Sequence, residues 1–76
     1  IKTAETVIYE IFREVTRAVR QFEANRVMVM ASPKVVAKIT EEESAAVAEL
    51  EEFIGKDIRF KPDEQYAQDQ FDVVLS

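Results

Sequence analysis

The chain has 76 residues, a formal net charge of −5 and neither cysteine nor histidine. One domain is the most this length supports, and so short a chain buries only about 60% of the surface its unfolded form exposes. Without cysteine there are no disulfides, zinc thiolates or cysteine nucleophiles; without histidine the commonest general base and metal ligand are gone; and the acidic balance removes whole-surface attraction to RNA, so that any such contact needs a local basic patch.

No apolar run approaches the roughly 18 residues of a membrane span, and no signal peptide is visible. Hydrophobic residues make up 47% of the chain, enough for a globular core. The chain starts at Ile1 rather than methionine, and we read 1–76 as a single small domain cut from a longer protein. A metal site built from carboxylates alone stays open at this point.

Residues 3–24 read as one amphipathic helix. Val7, Ile8, Ile11, Phe12, Val15, Ala18, Val19 and Phe22 recur at three- and four-residue steps and gather on one face. Thr3 is the expected N-cap. Tyr9, Arg13, Arg17 and Arg20 fall on the opposite face, interspersed with Glu10 and Glu14.

Val27-Met28-Val29-Met30-Ala31 is apolar on both faces. That pattern predicts a central strand covered on each side, with both methionines as core filler. Ser32-Pro33 is a helix start, serine at the cap and proline at the first helical position. The helix it opens runs over about 33–39, with Val35, Val36 and Ile39 inward. Thr40-Glu41-Glu42-Glu43 has the form of a capping box, which predicts a fresh helix over 41–53 burying Ala46, Val47, Leu50, Phe53 and Ile54. Gly55, the only glycine, stands where a left-handed C-terminal cap is wanted.

Residues 57–61 alternate, Ile58 and Phe60 inward and Arg59 and Lys61 outward, as in a half-exposed edge strand. Residues 63–70 are a polar loop. A last strand, 71–75, turns Phe71, Val73 and Leu75 to one side and Asp72 and Val74 to the other. The expected order is α-β-α-α-β-β, an α/β (α+β) fold with a three-stranded mixed sheet centred on 27–31. Strand 57–61 lies parallel on one side of it through a right-handed crossover, and strand 71–75 antiparallel on the other. A hairpin between 57–61 and 71–75 is the competing layout.

Three groups of residues invite a functional reading. Glu41-Glu42-Glu43 suggests a cation site, but successive helical residues diverge by about 100° and do not converge on one ion. Asp63, Glu64 and Asp69 lack the spacing and the glycine of a calcium loop. Tyr9, Arg13, Arg17 and Arg20 form the one basic stripe with an aromatic in it, suited to phosphate contact and base stacking. An ordinary solvated helix face is the plainer account of that stripe, and a protein interface lies between the two. One glycine leaves no phosphate-binding loop. No catalytic, cofactor-binding or metal-ligating residue is assigned.

Four collinear stretches carry a resemblance: Glu5 to Glu14, Met30 to Val36, Glu42 through Leu50 to Lys56, and Tyr66 to Leu75. Together they resemble the C-terminal small domain of the ribonuclease E/G family, in its ribonuclease G branch. The resemblance implies a thioredoxin-like small domain that helps build a homo-oligomer. It implies a parent that is a cytoplasmic bacterial endoribonuclease, a hydrolase of single-stranded RNA acting in ribosomal RNA maturation and mRNA decay. That parent would use magnesium for cleavage and zinc as an inter-subunit link, both held outside these residues. No position here matches the family's catalytic aspartates or zinc cysteines, and without a Cys-x-x-C pair a thioredoxin-like fold does no redox chemistry. Three readings follow: a non-catalytic structural and assembly domain, an auxiliary RNA-binding surface on the arginine stripe, or an unrelated protein-interaction module.

Overall fold

Helix α1 spans Ala4–Gln21 in a computed structural model that describes residues 2–76. Thr3 caps it as expected: its extended backbone lets Oγ1 accept from the Thr6 N–H at 3.2 Å. Val7, Ile8, Ile11, Val15 and Ala18 are its buried face. The helix stops about one turn earlier than its apolar pattern predicts. Phe22 is already extended, because the chain just beyond is committed to the sheet. The N–H groups of Asn25 and Arg26 both donate to the Ser76 backbone oxygen, at 2.8 and 3.0 Å, and the Ser76 N–H returns to Arg26 O at 3.1 Å. Phe22, expected inward, is therefore 55% exposed.

Strand β1, Val27–Ala31, is the middle of a three-stranded sheet of order β2-β1-β3. β2 (Ile58–Pro62) pairs with it in parallel, Val27 opposite Ile58 and Ala31 opposite Pro62. β3 (Phe71–Leu75) pairs antiparallel, Val27 opposite Leu75 and Ala31 opposite Phe71. The β2–β3 hairpin is thus excluded, and the mixed sheet in the order α-β-α-α-β-β stands. β2 lies one residue later than its alternation indicates. Pro62 closes it at an edge, where a missing N–H costs no internal ladder bond, and the next residue, Asp63, donates to Ala31 O at 2.9 Å.

Between β1 and β2 run helices α2 (Pro33–Glu42) and α3 (Ser44–Ile54). Ser32 caps α2, accepting from the Val35 N–H at 3.3 Å, with Pro33 in the first turn. The capping box at Thr40 is not formed. Thr40 sits inside α2, where Oγ1 donates back to the carbonyls of Val36 and Ala37 at 3.2 and 3.1 Å. A threonine hydroxyl satisfied by the preceding turn no longer competes to end the helix. The break falls three residues later: Glu43 caps α3 without any side-chain bond, and its N–H still closes α2 on Ile39 O. Gly55 ends α3 in the left-handed conformation, φ 72° and ψ 26°, and its N–H donates to Glu51 O at 2.8 Å.

The core lies between one face of the sheet and the helices. Val27, Val29, Ala31 and Ile58 from the strands meet Val7, Ile8, Ile11, Val15, Val35, Val36 and Ile39 from α1 and α2. Val47, Leu50 and Ile54 of α3 pack on its margin only half-buried. Ala46 is likewise half-buried, and Phe53, expected to be buried, is 68% exposed. The second face of the sheet has no helix over it. Met28 and Met30 lie there, half-buried and outside the core cluster, so β1 is central in the sheet without being covered on both sides. With the helices on one face of the sheet, the chain is a two-layer α+β domain.

Candidate functional site

The basic stripe lies on the outer face of α1. Tyr9, Arg13, Arg17 and Arg20 are exposed, Tyr9 by 67%. At 100° per residue their side chains fall within about 80° of arc, opposite the buried arc of Val7, Ile11 and Ala18. With Phe12 and Thr16 they line one shallow depression along the helix. Thr16 donates to Phe12 O at 3.0 Å, and the Phe12 ring is half-buried against the core. The depression thus has an apolar flank packed on the core and an exposed cationic rim.

The three arginines are not equivalent. Arg17 is fully engaged: Nε and Nη2 donate to the two Glu14 carboxylate oxygens at 3.0 and 2.7 Å, and Nη1 donates to Gln21 Oε1 at 2.7 Å. Those bonds hold the Glu14 carboxyl below the usual carboxylate range and push the Arg17 guanidinium upward. Glu10 is taken by Lys2 at 2.9 Å. Arg13 and Arg20 have no carboxylate within ion-pairing distance among the described residues. The weak ion pairs expected along the stripe therefore reach Arg17 and leave its other two arginines free. Such a surface can bind an anion and stack a planar group on Tyr9. It brings no carboxylate or imidazole to a reacting atom.

The acidic groups are disposed structurally. Lys38 bridges helices, 2.8 Å from Glu42 and 3.2 Å from Glu5. Its ammonium is pushed up by hydrogen bonds to Glu42 and then Glu5. Glu5 is held low, first by a backbone N–H at the start of α1 and then by Lys38. Asp63 turns the loop after β2: its Oδ1 accepts from the Gln65 N–H at 2.9 Å and its carbonyl from Tyr66. The Tyr66 hydroxyl donates to Asp72 Oδ2 at 2.6 Å, and this bond raises its pKa. Among the described residues no three carboxylates converge to hold a metal.

Two features had no local sequence signal. Glu51 Oε2 accepts from the Ile58 N–H at 2.8 Å, tying the end of α3 to the first residue of β2. The open sheet face takes shape only once strand register is known, because its residues come from three separate segments. No helix among the described residues is long and apolar enough to cross a membrane.

No family model matches the chain. It is similar to curated proteins named ribonuclease G, three of which follow. That of Salmonella typhimurium strain SL1344 is 45% identical over 75 residues, covering 99% of this chain. The Escherichia coli K12 protein is 44% identical over 75 residues, and the Haemophilus influenzae protein 45% over 76. The chain spans only 15–16% of the length of these relatives. The match fits a small domain of a ribonuclease G-like protein. None of the three names supports the thioredoxin-like designation.

Proposed function

We propose that this chain, similar along almost all of its length to about a seventh of ribonuclease G, is the C-terminal structural and assembly domain of a ribonuclease G-like endoribonuclease. The observation that carries this reading is the pairing of high identity over nearly the whole chain with coverage of a small share of the relatives. The domain itself is non-catalytic in this reading. Its exposed groups are arginines, solvated carboxylates and unpartnered apolar side chains, which are materials of binding. Cleavage of single-stranded RNA, rRNA maturation, mRNA turnover, the magnesium and zinc sites and a bacterial cytoplasmic setting all belong to the parent. The thioredoxin-like label rests on the resemblance alone.

The test is deletion of these 76 residues from the full-length parent. Light scattering is expected to show fewer subunits per particle, and the isolated chain is expected to leave single-stranded RNA uncut. An unchanged number of subunits per particle on deletion removes the assembly role.

A second reading is favoured by one observation, the two arginines without carboxylate partners beside an exposed tyrosine. In it the outer face of α1 holds RNA phosphates through Arg13 and Arg20 while Tyr9 stacks a base. Charge reversal of Arg13 and Arg20 should then weaken RNA binding by the parent and flatten its salt dependence. Equal affinity and slope would sink it. Arg17, saturated by Glu14 and Gln21, contributes less. An unrelated protein-interaction module runs against the similarity to ribonuclease G.

A further inference from the structure

The second face of the sheet is apolar along its centre and has no helix over it; the loop after β2 reaches it at Asp72 through Tyr66. The pairing register sets two rows across it: Arg59, Met28, Val74, and then Lys61, Met30, Asp72. Val74 is 45% exposed. Both methionines are half-buried, and Arg59, Lys61 and Asp72 are exposed. Charge is therefore sorted by edge, cationic along β2 and anionic on β3. Asp72 gives one carboxylate oxygen to the Tyr66 hydroxyl and keeps the other for a partner.

We propose that this face docks onto the same face of a second copy of the chain, about a two-fold axis parallel to β1. The inference rests on the assembly reading above and names its surface. An axis in that direction sets β1 over β1 and the cationic β2 edge of each copy over the anionic β3 edge of the other. Lys61 then faces Asp72 of the second copy, and the pair occurs twice. The Arg59 stem lies over Val74, while Met28 and Met30 meet their own counterparts, where an unbranched thioether adapts to fit. The other in-plane axis, across the strands, sets β2 on β2 and opposes like charges. Only the first arrangement is self-complementary, the condition for a closed two-fold pair. Sheets so packed stand about 10 Å apart, with strand directions within about 30°.

The face measures about 17 Å along the strands by about 14 Å across them. That is far less than the roughly 800 Å² per partner of a stable complex. The isolated chain should thus self-associate weakly, with Kd in roughly the upper micromolar to millimolar range. In the parent the contact is one part of a larger assembly.

The chain carries its own buried core, so the test uses it directly. Sedimentation equilibrium and NMR shift changes with concentration would be recorded for the wild type, Lys61→Asp, Asp72→Lys, the double variant and Met30→Lys. Circular dichroism checks that each is folded. Each single charge reversal and Met30→Lys should weaken association at least about tenfold, a factor equivalent to roughly 1.4 kcal/mol. The double charge swap should recover most of the loss, because in a self-pair both bridges re-form with signs exchanged. Arg13→Glu, on the far layer, should change nothing. A wild type monomeric at millimolar concentration overturns the proposal. So does a double variant no better than the singles, which points to a partner of different sequence, such as an acidic segment elsewhere in the parent. If deleting the domain lowers the number of subunits in the parent while these variants leave it unchanged, the assembly reading stands and this face falls.

Discussion

The two faces of the sheet are made from the same three strands and differ in what they meet. On the covered side Val27, Val29 and Ala31 are sealed beneath α1 and α2. On the other side Met28 and Met30 stand between charged neighbours, with no helix above them. The residue types differ in the same sense. Stiff, β-branched valines fill the side that must fit one fixed shape, and flexible methionines occupy the side that has none within the monomer. An apolar residue in a central strand thus reports on its lateral neighbours; only the number of helices available decides whether a layer lies above it.

That contrast can be broken most sharply at adjacent positions. Val29→Ala should cost about 2–3 kcal/mol, from two lost carbons at roughly 0.8 kcal/mol each plus a cavity that α1 and α2 do not fill. Urea denaturation checks it. Glu51→Ala acts at the border of the two regions. It strands the Ile58 N–H at the rim of the core, and we expect about 1–2 kcal/mol, with amide exchange at Ile58 rising first. Met30→Ala on the open face should cost under about 1 kcal/mol in the same denaturation series. A larger loss from Met30→Ala than from Val29→Ala would show that the open face is closed in solution.

The smallest effect is electrostatic. Glu5 and Glu14 sit below the usual carboxylate range when folded, so their contribution is complete above that range and disappears as pH falls through their lowered values. Lys38 is raised, so its contribution is complete below the ordinary lysine range and disappears as pH climbs past it. All three groups are solvent-screened, so both limbs should be shallow. Melting curves from neutral pH downward check the first, and Glu5→Gln with Glu14→Gln should flatten it.

The elements legible in the sequence were those with one dominant period. The alternation of Ile58 and Phe60 and of Phe71, Val73 and Leu75 located both edge strands to within a residue. The continuous apolar run at 27–31 pointed to the middle strand, while the hairpin layout stayed open until the pairing of β1 with both edge strands was seen. The misreadings came where two local signals competed. Thr40 can cap a new helix or bond back to its own, and Val36 and Ala37 offered carbonyls already in place. Phe22 continues the apolar stripe of α1, but the Ser76 bonds at Asn25 and Arg26, invisible locally, draw the chain away first. Phe53 follows helical spacing on α3, a helix that touches the core only with Val47, Leu50 and Ile54. On the candidate site, the exposure of Tyr9 and its three arginines followed from periodicity. That Arg17 is saturated while Arg13 and Arg20 are not is a matter of rotamers, which no spacing encodes.

The middle strand is also the first strand made. β1 ends at Ala31, its parallel neighbour starts at Ile58 and its antiparallel neighbour at Phe71. At the roughly 5–20 residues per second of ribosomal synthesis, a few seconds separate the template from its last partner. Throughout that interval an apolar strand offers at least one unpaired backbone edge. Helix α1 precedes β1 and helices α2 and α3 follow it within that interval; they can shield one of its faces but neither of its edges. The last strand, β3, is the step that closes the second edge of β1.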